Sequence, residues 1–201
     1  MGRKLGLYKL CREHKQNSHE RSPVKLFHFS EEAGLTRFEP RPVRIPSARV
    51  KGREWLNGPL VWAIDDDHQP LYLFPRDCPR ILAWAIPTTT TEDQARWLGE
   101  AAFVAFIEEI WWDRFQKGAI WRYRLAETAF ESLEDAGMWV SRMDVDALDA
   151  ERLADLPGEL AARNVAVRAV PSLSPLRELW RTSLHASGLR LRNAAFPVGL
   201  C

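Results

Sequence analysis

"LFHFSEEAGL", residues 26–35, places a histidine between two phenylalanines and then ends in serine and two acids. A strand turns successive side chains to opposite faces. Phe27 and Phe29 therefore share one face, and Leu26, His28 and Ser30 share the other. The phenylalanine face reads as core. The other face brings two hydrogen-bonding side chains to the C-terminal end of the strand, where clefts often open. The residues leave two readings open: a buried His28 satisfied by a backbone carbonyl, or His28 and Ser30 as a pair that grips a ligand.

Working outward, the neighbouring apolar runs are also short. "LVWAI", "ILAWAI", "FVAFIE", "IWRYRLA", "MWVSRMDV" and "VAVRAV" have strand length and carry β-branched or aromatic residues. Four segments between or after them read as helices. "TEDQARWLG" has Thr91 as N-cap and Gln94 at capping-box spacing. "EEIWWDRFQKG" ends near Gly118. "DAERLADLPGELAARN" has helical periodicity that Pro157 and Gly158 kink or break. "SPLRELWRTSLHASG" has Ser174 as cap, Pro175 in the first turn and Gly188 as terminator. Strands mixed irregularly with helices predict a single α+β domain around one mixed, mostly antiparallel sheet with flanking helices. The domain is expected over residues 24–201, after a flexible N-terminal extension over 1–23. Residues 39–59, rich in proline and arginine, read as a long loop within it, either functional or a solvated insertion.

The composition narrows the function classes. The chain has 201 residues, enough to bury a substantial core, and a hydrophobic fraction of 46%. Its 28 basic and 27 acidic residues leave a net charge of +1, so there is no global pull towards nucleic acid or an anionic membrane. No apolar run approaches the roughly 20 residues of a membrane-spanning helix. The N-terminus is basic but lacks the apolar centre of a signal peptide. Cys11, Cys78 and Cys201 are far apart and lack metal-ligand spacing. A cytoplasmic protein with no bound metal is the expectation.

"DDDHQPLYLFPRDCPR", residues 65–80, is the densest mixture of polar and apolar side chains. Asp65, Asp66 and Asp67 are consecutive and cannot all face one ion; a solvated turn that caps the next helix, a short one anchored by Tyr72 and Phe74 and ended by Pro75, fits them better. The prolines of "PRDCPR" stiffen the backbone and hold Arg76 and Arg80 in set directions. A guanidinium matches phosphate with a two-pronged fork, so either arginine is a candidate for anion recognition; a structural Arg–Asp pair is the alternative. Basic neighbours would favour a thiolate at Cys78, yet nothing marks a base for it. Arg190 and Arg192 in "GLRLRNAAF" either fix an anion or cover a sheet edge. Nucleotide-binding glycine loops and a hydrolase serine elbow are absent from the sequence.

"LFHFSEEAGLTRFEPRP", "VWAIDDDHQPLYLFPRDCPR", "GMWVSR", "PSLSPLRELWRTSLHASG" and "LRLRNA", taken in order, resemble a family of uncharacterised bacterial proteins over residues 24–194. More distantly, an early aromatic-His-aromatic-Ser strand resembles the first motif of ADP-ribosyltransferases. That resemblance implies an ADP-ribosyltransferase-like fold, a cleft for NAD, His28 on the nicotinamide ribose with Ser30 beside it, and Tyr72 stacking on a ring. Arg76 or Arg80 would meet phosphate. It also implies a Glu after the Ser-Arg pair of "MWVSRMDV". Here that position holds Met143, and Asp144, one residue on, is the candidate acid; a one-residue shift turns a side chain to the opposite face. The expectation is a protein that binds NAD or a related small nucleotide, with its acceptor and its catalytic competence left open. A non-enzymatic binding or interaction domain is the alternative.

Overall fold

The β1 strand forms over Leu26–Ser30 and lies inside a seven-stranded sheet. The computed structural model describes residues 23–46 and 48–195; Cys11, Cys201 and the N-terminal extension up to residue 22 lie outside them. In chain order the strands are β1, β2 (Arg37–Phe38), β3 (Val61–Asp65), β4 (Arg80–Trp84), β5 (Phe103–Glu108), β6 (Ile120–Leu125), β7 (Glu131–Ser132), β8 (Met138–Ser141), β9 (Val145–Leu153), β10 (Val165–Val170) and β11 (His185–Leu189). The helices are α1 (Thr91–Asp93), which runs on as a π-helical turn over Gln94–Leu98, α2 (Trp112–Lys117) and α3 (Leu156–Ala161). This is a single α+β domain in which, among the described residues, only β5 and β10 pair in parallel.

Two sheets form where one was expected, in the orders β2-β9-β6-β1-β3-β8-β7 and β10-β5-β4-β11. The reason is visible in β4 and β5, which are apolar on both faces. Leu82, Trp84, Ala105 and Ile107 pack with Phe115 of α2, Leu156 and Leu160 of α3, and Ile64 and Ile120 of the larger sheet. Ile81, Ala83, Val104 and Phe106 pack the other way, on Trp97, Leu98 and Leu179. A strand covered on both sides belongs in a middle layer, not at the edge of a sheet that faces water.

Two segments expected to be helical are helical over only part of their length and extended over the rest. "DAERL" is the end of β9, where Arg122–Glu151 at 2.5 Å and Arg124–Asp149 at 2.6 Å tie it across to β6. Cross-strand charge pairs stabilise this arrangement without any helical stripe. Pro157 then sits in the first turn of α3, whose N-cap Asp155 accepts from the Gly158 N–H, so the proline falls at the opening of a helix and breaks none. In "SPLRELWRTSLHASG", Ser174–Arg181 forms only a 3-10 turn, and "HASGL" is β11, paired with β4 in the register His185↔Trp84. Asp93 Oδ2 accepts from both the N–H and the hydroxyl of Ser183, which turns the chain into that edge strand. The N-cap of α1 is Thr90, one residue before the expected Thr91.

Candidate functional site: an arginine-lined cleft at the end of β1

β1 pairs with β6 along its whole length, but its ladder to β3 stops after Phe27↔Ile64. Beyond that point the carbonyl of Trp62 accepts a hydrogen bond from Nδ1 of His28 at 2.8 Å. The two readings of His28 therefore describe two different nitrogens. A carbonyl cannot donate, so Nδ1 must carry the proton. In the neutral ring, Nε2 then holds a lone pair, and it takes no partner among the described residues. Burial holds the His28 pKa below its ordinary value; the Trp62 carbonyl opposes this and Arg76 adds to it. Burial thus favours the neutral ring of His28 at neutral pH.

His28 lines a cleft of about 1130 Å³ with Ser30, Tyr72 and Arg76. The Pro/Arg-rich loop over 39–59 forms one wall through Arg41, Val43 and Arg49. The segment over 185–192 supplies the facing wall, including His185 and Arg190. Among the described residues, seven arginines line the cleft against three carboxylates, Glu32, Glu39 and Asp135. A chain of nearly zero net charge has therefore gathered positive charge at one place, and such a concave basic surface focuses potential on an anionic ligand.

Ser30 is buried, and its Oγ accepts from the Glu32 N–H at 3.1 Å, which turns the chain out of β1. The following loop is pinned by Tyr123, whose hydroxyl donates to the Glu32 carbonyl at 2.6 Å and accepts from Leu35 N–H at 3.3 Å. Tyr72 stacks on Phe29 with ring centroids 6.0 Å apart and planes 8° apart. Its hydroxyl lies 3.7 Å from Met138 Sδ, and burial raises its pKa, against the pull of Arg80 and Arg190.

Arg80 is 3% exposed. Its Nε donates to the Leu71 carbonyl at 2.8 Å and Nη1 to the Cys78 carbonyl at 2.9 Å. The Cys78 thiol is buried and pushed up to about 12 by that burial, which outweighs nearby Arg80 and Arg114. The basic neighbours were expected to favour a thiolate; desolvation of the charge dominates instead. Asp144 does not line the cleft itself but touches it through Arg37, one of the seven lining arginines, whose charge it offsets. It is exposed and pairs with Arg37 at 2.7 Å, next to a Met143 that is 65% exposed.

Of the three acids before His68, read in the sequence as a capping turn, Asp65 pairs with the histidine itself. Asp65 Oδ1 accepts from the backbone N–H of His68 and from its Nδ1, both at 2.8 Å. Gly137, at φ +68°, lies against this pair. The signal was present as D-x-x-H, an acid three residues before a histidine. His185, the residue that stacks on Trp84 at 4.2 Å in the cleft wall, was hidden by the helical reading of its segment. Among the described residues, no group of three His, Cys, Asp or Glu side chains is placed to hold a metal ion. No helix among them is long and apolar enough to cross a membrane.

A family model matches residues 27–194, which takes in β1, both sheets and the whole cleft. The chain belongs to the family of unknown function DUF6886. Comparison with curated proteins and with solved structures finds no match. The DUF6886 match begins within β1 and ends just after the 3-10 turn that follows β11, so the residues that line the cleft fall inside the matched range.

Proposed function

We propose that this DUF6886 protein binds a nucleotide of the NAD class in the cleft at the end of β1, as an ADP-ribosyltransferase-like protein does. The observation that carries the reading is His28. Its Nδ1 is committed to the Trp62 carbonyl, so Nε2 is left as an acceptor beside an arginine-rich cavity. A ribose hydroxyl needs such an acceptor, and a diphosphate needs such arginines. Tyr72 offers an aromatic edge beside them, although one of its faces is taken by Phe29. A volume of about 1130 Å³ accommodates a dinucleotide.

Transfer of ADP-ribose is a further demand. It needs an anion near a developing oxocarbenium ion, and stabilisation of that kind is often worth several kcal/mol, roughly 3–4 in mutational tests. Met143 supplies no charge, and Asp144 is neutralised by Arg37. The reading is therefore binding without efficient transfer by Asp144. Calorimetry of the full chain with NAD and ADP-ribose tests it. Saturable heat that weakens at least tenfold in His28→Phe is expected. No heat at millimolar NAD would sink the nucleotide reading and favour an interaction domain.

A further inference from the structure

A smaller chamber of about 380 Å³ opens beside the cleft, sharing Ser30, Tyr72, Arg76 and Arg190 with it. Arg80 forms part of its wall. A buried guanidinium is costly unless a carboxylate or several acceptors satisfy it. Arg80 has only the two carbonyls of Leu71 and Cys78. Among the described residues no carboxylate lies within ion-pair distance of it, and its Nη2 donates to none of them. The rings of Phe74 and Tyr72 lie 5.2 Å and 5.9 Å from its Cζ and fix the plane of the fork.

The rest of the chamber repeats the imbalance. Arg49, Arg76 and Arg190 line it, and Glu31 is its sole carboxylate among the described residues. Glu31 is already engaged: Oε1 accepts from the Arg76 backbone N–H at 3.0 Å and lies 3.6 Å from Arg114. Arg190 is held in place by its Nε, which donates to the Arg76 carbonyl at 3.1 Å. Three of these arginines reach the chamber from different parts of the chain, and the fourth, Arg80, presents a free edge from a fixed plane.

We infer that this chamber is a phosphate pocket in which the free Nη2 edge of Arg80, flanked by Arg76 and Arg190, receives a phosphate group that enters from the cleft. The inference rests on the nucleotide reading only for the rest of the ligand. The phosphate itself is argued from a buried cation that meets two carbonyls and, among the described residues, no carboxylate. Burial lowers the Arg80 pKa to about 10, so the side chain is still charged at neutral pH and the need for a counter-anion persists. A nucleoside without phosphate would leave the pocket empty, so the ligand class narrows to phosphate esters and anhydrides. Free inorganic phosphate and the phosphate of a nucleotide share this chemistry, and the test separates them.

Calorimetry of the full chain is run with inorganic phosphate, inorganic pyrophosphate, adenosine, ADP-ribose and NAD. Pyrophosphate is expected to bind and to compete with ADP-ribose, whereas adenosine binds at least tenfold more weakly than ADP-ribose. Arg80→Lys keeps the charge and loses the fork, and a tenfold or greater loss for pyrophosphate is expected. Arg190→Gln, at an exposed position, is expected to lose threefold or more, which keeps the test open if Arg80→Lys fails to fold. Tight inorganic phosphate with no gain from the nucleoside would make the pocket one for the free ion. Pyrophosphate bound without NAD would leave the pocket standing and remove the NAD reading. ADP-ribose that binds equally to wild type, Arg80→Lys and Arg190→Gln, with no heat from pyrophosphate, would overturn the pocket and leave the NAD reading in place.

Discussion

His28 and His68 both use Nδ1, and both meet an oxygen at 2.8 Å, yet they titrate in opposite directions. His28 meets a carbonyl in a buried setting next to Arg76, and its pKa is held down. His68 meets the Asp65 carboxylate in a half-open setting, and that hydrogen bond raises its pKa against a smaller desolvation effect. Distance alone therefore does not set the protonation state. The charge of the acceptor and the loss of water decide it. The consequence is chemical: burial favours the neutral ring of His28, while the Asp65 carboxylate favours the imidazolium of His68.

The strongest way to break the contrast is Gly137→Ala. A Cβ there would clash with His68 Nδ1 and sit 2.6 Å from Asp65 Oδ1, in a backbone conformation that favours glycine. A loss of about 2–3 kcal/mol in denaturant unfolding is expected, with the His68 pKa returning towards its ordinary value. An unchanged midpoint would mean that the pair tolerates displacement.

His28→Phe acts on the other side. It keeps the ring contact with Phe38, at 4.6 Å between centroids, and removes the donor from the Trp62 carbonyl. A loss of about 1–2 kcal/mol is expected, together with the loss of ligand affinity described above. Stability that falls with affinity unchanged would reduce His28 to a structural residue.

Asp65→Asn keeps the hydrogen-bonding shape and removes the charge. After allowance for solvent screening, about 0.5–1 kcal/mol is expected, and the His68 ring proton should titrate near its ordinary midpoint by NMR. His28 should not move.

The pH dependence carries smaller effects of opposite sign. His28 has a folded pKa below 6.5, so the unfolded chain binds more protons and its contribution is lost as pH falls from 6.5 through the folded value. His68 has a folded pKa above 6.5, so its contribution is complete below 6.5 and is lost as pH rises through the folded value. Unfolding curves of His28→Phe and His68→Gln across this range should each remove one limb. The smallest effect is expected of Asp144→Asn, which should leave NAD binding unaltered. Nicotinamide release by the wild type that this variant abolishes would bring Asp144 into the chemistry.

The core face of β1 was not legible, since Leu26 is fully buried in a core cluster and Phe29 is only partly buried; by itself the sequence determined most of the strands. Alternation at Leu26–Ser30 and the short apolar runs encode them locally, and "PRDCPR" encodes a stiff segment that carries two arginines. An exposed strand with i,i+4 charges and a helix look alike in one dimension, so β9 and β11 were settled only by their partners, Arg122 and Arg124 on β6 and Trp84 on β4. The cleft was likewise decided in three dimensions. A net charge of +1 sums over the whole chain and hides seven arginines that the fold brings to one wall system from three separate stretches. The same holds for the protonation of Cys78: neighbouring arginines are visible in the sequence, but the loss of water that overrides them belongs to the packed core.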